Sequence, residues 1–91
     1  MANTLLSHLD PTTVSTTATV YYLKPGDYSV TIGDGGALAN CYLKFWDGAA
    51  WVAFSDSDGT ASQGFTITVP GNTKVQIVFT AGNPILQIYP V

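Results

Sequence analysis

From Val14 onward the chain reads as short apolar-polar runs broken by clusters of Gly, Pro, Asn and Asp. Tyr28-Ser29-Val30-Thr31-Ile32 is apolar at every second position, the period of a half-buried strand. Phe65, Ile67 and Val69 alternate with Thr66 and Thr68, and Val75, Ile77 and Phe79 alternate with Lys74, Gln76, Val78 and Thr80. Further strands are predicted over residues 17–23, 40–46, 50–54 and 85–89, all rich in β-branched or aromatic residues or alternating. Lys24-Pro25-Gly26-Asp27 is a turn, because Pro presets φ at its second position and Gly accepts positive φ at its third. Gly33-Asp34-Gly35-Gly36 and Asp56-Ser57-Asp58-Gly59 read as loops, and Ala81-Gly82-Asn83-Pro84 as a break. Strands spaced about ten residues apart, with no helix of ordinary length, predict an all-β fold. The expected architecture is a single small antiparallel β-sandwich or barrel of about seven strands.

Residues 1–13 are set apart as an N-terminal arm, and residues 14–91 as the β-sandwich domain. Leu5, Leu6 and Leu9 could share one face of a single helical turn capped by Asn3 or Thr4 and ended by Pro11. An extended arm competes with it, since one short turn is marginal in isolation. In either form the three leucines need an apolar surface, on this domain or on a neighbouring subunit.

The central hairpin is the most informative segment. Asp47-Gly48 between two alternating runs is a strong hairpin signal. A two-residue loop sets Phe45 opposite Ala50, and a four-residue loop sets Trp46 opposite Trp51. Both give the same two faces, because side chains alternate with period two. Cys41, Leu43, Phe45, Ala50, Val52 and Phe54 form one face, uniformly apolar and expected in the core. Tyr42, Lys44, Trp46, Ala49, Trp51 and Ala53 form the other. That second face is too polar for a core and rich in the aromatics that dominate binding hot spots. It is either a contact surface, or a face that another part of the chain covers, or a set of cross-strand pairs that stabilise the hairpin. Pro70-Gly71-Asn72 leaves two options open: a hairpin with an odd-length loop or bulge, or a crossing between two sheets.

Charge narrows the function classes. Of 91 residues, 46% are apolar and 10% charged, so the chain can fold but carries few ionic groups. Lys24, Lys44 and Lys74 are its only basic residues besides His8, and the formal net charge is −3. Scattered lysines cannot build the basic patch that nucleic acid or an anionic membrane needs. No run approaches the ~20 apolar residues of a spanning helix. The first residues have neither a basic stretch nor a long apolar run, so synthesis in a cytoplasm without an export signal is expected.

Candidate chemistry is thin. His8 is the only histidine, and Ser7, His8 and Asp10 on one terminal segment are not a held relay with an oxyanion hole. One His and one Cys cannot complete a zinc site. Asp56-Ser57-Asp58-Gly59 lacks the glycine position and the bidentate Glu of a calcium loop. Gly33-Asp34-Gly35-Gly36 lacks the Lys-Ser/Thr ending of a phosphate loop. Nothing singles out Asp34 and Asp58 as a paired-carboxylate site. Cys41 falls on the core face and reads as a small buried hydrophobe. No catalytic residue, metal or cofactor is expected, and the chain reads as a protein that binds or assembles rather than an enzyme.

The succession of features has a family look. Leu23 to Val30 (LKPGDYSV), Gly35-Gly36, Leu43 to Val52 (LKFWDGAAWV), a polar loop and Val75 to Phe79 (VQIVF) follow one another before a short final strand. This resembles small β-sandwich virion proteins of tailed bacteriophages, among them capsid decoration or cement proteins. The resemblance spans about residues 14–91 and rests on turn and hairpin signatures. It implies a non-enzymatic subunit that binds and stabilises the outer face of a capsid. The implied partner is the major capsid protein or another virion protein, with a homo-oligomer as the state of the chain itself. The implied location is the capsid exterior of a virion, after synthesis in the host cytoplasm. Leu5, Leu6, Leu9, Tyr42, Lys44, Trp46 and Trp51 are the expected contact residues. The same aspartate-glycine hairpin also occurs in tail-fibre and carbohydrate-binding modules. The alternative is therefore a glycan-binding or adhesin module in which Trp46 and Trp51 stack on sugar rings.

Overall fold

A computed structural model describes residues 5–14, 19–33, 40–57 and 63–91. Asn3, Thr4, Thr17, the loop residues 34–36 and Asp58-Gly59 lie outside them. The strands are β1 (Leu5–Leu6), β2 (Leu9–Thr13), β3 (Val20–Leu23), β4 (Gly26–Gly33), β5 (Tyr42–Trp46), β6 (Trp51–Ala53), β7 (Gln63–Val69), β8 (Thr73–Val78) and β9 (Ile85–Pro90). They form a five-stranded sheet of order β1-β3-β8-β5-β6 and a four-stranded sheet of order β2-β9-β4-β7. Every pairing is antiparallel except β1 with β3. The fold is a small all-β sandwich.

β3 to β9 answer the seven strands expected from alternation. β1 and β2 come from the N-terminal segment, whose described residues 5–13 form strands at the edges of both sheets. Parallel pairing of Leu6 with Leu23 and antiparallel pairing of Leu9 with Ile88 turn both leucines toward the core, where they are half-buried. Pro11 is tolerated in β2 because an edge strand can spare one N–H.

Among the described strands, only β5 and β6 are consecutive members of the same sheet; every other pair of consecutive strands is divided between the two sheets. Setting β1 aside, β2-β9-β4-β7 facing β3-β8-β5-β6 is the interleaved strand order of an eight-stranded jelly roll. Hence Pro70-Gly71-Asn72 is a crossing between sheets, and so is Lys24-Pro25. At that second crossing Gly26 takes φ +150°, and the buried Tyr28 hydroxyl donates to the Lys24 carbonyl at 2.6 Å. The bond ties the first residues of β4 to the chain leaving β3, as tyrosine corners do in other sandwiches.

The core is the apolar half of each alternating strand: Leu23, Tyr28, Val30, Ile32, Leu43, Ile67, Val69, Val75, Ile77, Leu86 and Ile88, with Val14 and Cys41. Among the described residues one polar residue, Ser57, is buried with them. β6 ends at Ala53, and Phe54 still donates its N–H to the Leu43 carbonyl at 3.0 Å. The chain then turns, because the Phe54 carbonyl accepts from Ser57 N–H. The Leu43 N–H, deprived of that carbonyl, donates to the Ser57 hydroxyl at 2.9 Å. Ser57 donates in turn to the Gln63 side chain at 2.9 Å, whose amide donates to the Cys41 carbonyl at 3.2 Å. Two side chains thus carry on the ladder where β6 stops, and they link β5 of one sheet to β7 of the other.

Candidate functional site

Strand register assembles the outer face of the five-stranded sheet. Leu5 pairs with Tyr22, Tyr22 with Lys74, and Trp46 with Trp51. Lys74 and Trp46 meet because the β5–β8 register that pairs Phe45 with Val75 sets them side by side. One row of side chains, Leu5, Tyr22, Lys74, Trp46 and Trp51, therefore crosses all five strands, about 19 Å at the usual strand spacing. Behind it run Val20, Gln76, Lys44 and Ala53, then Val78 and Tyr42. No strand residue on this face is a carboxylate, and it carries two of the three lysines.

The hairpin that carries Trp46 and Trp51 has the four-residue loop, residues 47–50. The Asp47 N–H donates to the Ala50 carbonyl at 3.1 Å, and its carboxylate accepts from Ala49 and Ala50 N–H groups at 2.8 Å each. Those bonds, from Ala50 first and then Ala49, hold the Asp47 carboxyl below its ordinary range. Gly48 supplies the positive φ of the loop, +104°. The turn fixes both indoles on one side: their centroids are 5.5 Å apart and their planes meet at 63°. Lys74 Nζ lies 4.9 Å from the centroid of the Trp46 ring, a cation–π contact. Both tryptophans, with Tyr42 and Lys44, are half-buried. Tyr42, Lys44, Trp46 and Trp51 thus share the outer face with Leu5, which is 38% exposed. Leu6 and Leu9 do not share it, because pairing points them into the chain's own core. Tyr22 and Lys74 belong to the face and were missed by reading the hairpin alone; only the register of β3 and β8 brings them there.

The hairpin's inner face is not wholly core. Cys41 and Leu43 are fully buried and Phe45 and Phe54 half-buried against each other, with centroids 4.8 Å apart. Ala50 is exposed, however, and Val52 is 38% exposed. β6 is the last strand of its sheet, and its Val52 and the Val69 of β7 border the same open space. The result is an open groove of about 640 Å³ lined by Phe45, Val52, Phe54, Val69 and Pro70, among others.

The outer face of the four-stranded sheet is chemically different. Register places Asp27, Ser29 and Thr31 beside Thr68, Thr66 and Gly64, and Ser29 and Thr31 also beside Tyr89 and Gln87. Asp27 accepts from the Thr68 hydroxyl at 2.8 Å. His8 stacks on Tyr89 with centroids 6.4 Å apart, and Tyr89 donates to Asp10 at 3.3 Å. Burial and the neighbouring Asp10 raise the Tyr89 pKa. Asp10 is thus engaged by Tyr89, and His8 lies against the same ring.

Among the described residues, no group of three or more His, Cys, Asp or Glu side chains is placed to hold a metal ion. Asp56 is exposed beside the buried Ser57. Burial pushes the Cys41 thiol up to about 11. No helix among the described residues is long and apolar enough to cross a membrane. Among known proteins, no family model, curated sequence or solved structure matches this chain.

Proposed function

We propose that this chain is a non-enzymatic structural subunit of a virion, a capsid decoration protein that seats the outer face of its five-stranded sheet on the major capsid protein or another virion protein. The observation that supports this reading most is the difference between the two outer faces. One carries Tyr22, Tyr42, Trp46, Trp51 and two lysines without a strand carboxylate; the other carries Asp27 among Ser, Thr and Gln, and its one strand aromatic, Tyr89, is engaged by His8 and Asp10. A subunit with one side toward a shell and one toward water needs such a division, and Trp and Tyr suit the buried centre of an interface. The jelly-roll order agrees with a role in a capsid, though by analogy of fold alone, since lectins share it. Against sugar stacking stand the neighbours of the rings. Lys74 covers Trp46, Trp51 meets Trp46 edge to face, and Asp47 is engaged by its own turn.

Gradient-purified virus particles from cells making this chain should carry it at a fixed ratio to the major capsid protein. Particles stripped of it should rebind the purified chain. Trp51→Ala and Tyr42→Ala should each weaken rebinding by about thirtyfold if they are hot spots worth about 2 kcal/mol. A chain absent from particles, but bound on a glycan array through Trp51, would establish the carbohydrate-binding alternative instead.

A further inference from the structure

We propose that β7 is a self-association edge: two copies pair their β7 strands antiparallel about a two-fold axis, joining two four-stranded sheets into one of eight. The inference does not depend on the partner of the aromatic face, which lies on the other sheet.

The described strands leave four sheet edges, β1, β6, β2 and β7, and three of them are guarded. β1 has two residues and β6 three, too short to template much pairing. β2 carries Asp10 and Pro11, and its register shifts between Leu9 and Thr12. β7 is seven residues long and pairs with β4 in unbroken register from Gln63 to Val69. It contains no charge and no proline. A long, flat, uncharged edge left open invites association, and natural proteins block such edges or use them.

The direction of its free groups follows from one bond. The Asp27 carbonyl accepts from Val91 N–H at 3.0 Å, on the β9 side of β4. In an antiparallel ladder a residue's N–H and C=O point the same way and alternate along the strand. Tyr28, Val30 and Ile32 therefore face β7, and they engage Ile67, Phe65 and Gln63. The backbone groups of Gly64, Thr66 and Thr68 point outward, and no backbone hydrogen bond from another described residue reaches them.

These three residues suit a second copy of themselves. With the axis at Thr66, Thr66 pairs with Thr66 of the partner subunit, and Gly64 with Thr68 of the partner subunit. Every outward N–H and C=O then finds its complement. On the inner side, the half-buried Phe65 ring meets Ile67 of the partner subunit. Two chains of net charge −3 repel in general, so the register must keep carboxylates apart. Among the described aspartates, the one bonded to this edge is Asp27, on Thr68. In this register the two Asp27 side chains sit about 20 Å apart, beyond the ~8–10 Å over which salt screens charge.

Equilibrium sedimentation of the full chain, from micromolar to millimolar, should give a mass twice the 9.6 kDa of one chain. Thr66→Pro removes an outward N–H that β4 does not use, and a proline is tolerated on an edge strand. It should return the mass to one chain with the near-ultraviolet signal of the native fold intact. Thr66→Cys decides the matter independently of that variant's folding. Facing Cα atoms of such a pair lie about 5.5 Å apart, within disulfide range. Oxidation should therefore give a covalent dimer, while Ser29→Cys, one strand further in on the same sheet, should not. A wild-type mass of one chain throughout would overturn the proposal, including the case in which β7 is reserved for a strand of another protein. So would a folded Thr66→Pro dimer, or Thr66→Cys that stays single or cross-links no better than Ser29→Cys.

Discussion

Replacing Ser57 by Ala removes one hydroxyl and leaves the shape of the turn nearly unchanged, so it isolates the side-chain link that replaces the end of β6. Leu43 has no exposed surface and Ser57 only 6%. Water therefore has no direct path to the Leu43 N–H once its acceptor is gone. A buried donor without a partner costs about 1–3 kcal/mol. The Gln63 side chain also loses the hydroxyl that donates to it, which places the expected loss near the middle of that range, about 2 kcal/mol. For a domain of this size each kcal/mol moves the melting temperature by about 4–8 °C, so Ser57→Ala should melt about 8–16 °C below wild type. Ser55→Ala, at an exposed neighbouring position, should stay within about 0.5 kcal/mol of wild type. Urea unfolding followed by tryptophan fluorescence measures both, and hydrogen exchange at the Leu43 amide localises the effect, since its protection should fall more than that of Ile77. A loss below about 0.5 kcal/mol with the Leu43 amide still protected would refute the reasoning and leave Ser57 an incidental buried hydroxyl.

Two further outcomes follow from the same structure. Tyr28→Phe removes the 2.6 Å bond to the Lys24 carbonyl while keeping the ring in the core, and should cost about 1 kcal/mol in urea unfolding, with an unchanged slope. Cys41 is fully buried and its thiol is shifted up to about 11, so a thiol reagent at pH 8 should label it only in denaturant; rapid labelling of the folded chain would mean that this end of β5 opens readily.

Much of the candidate site was legible in the hairpin, because period-two alternation gives the same two faces for a two-residue and a four-residue loop. Trp46, Trp51, Tyr42 and Lys44 belong to one side with either a two-residue or a four-residue loop, and the structure keeps them together. Lys74 and Tyr22 were not legible, because their place beside the tryptophans depends on which strands neighbour β5. Val52 shows the same limit from the other side. Its apolar phase marks it for the core, but an edge strand is buried only where the opposite sheet reaches over it.

The sequence by itself determined that the chain is all-β, where most strands run and which side chains of each strand share a side. These are local properties, written in the alternation of apolar and polar residues and in turns made by Pro25-Gly26, Asp47-Gly48 and Pro70-Gly71. Only the tertiary structure decided the sheet to which each strand belongs, and that the leucine-bearing start of the chain becomes two edge strands. It alone decided that Ser57 finishes the ladder of β6 and that β7, seven residues long and uncharged, is an edge strand. The physical reason is that a strand's hydrogen bonds are satisfied by whichever segment lies alongside it. In a fold where nearly every connection crosses between sheets, that segment is seldom the next one in the chain.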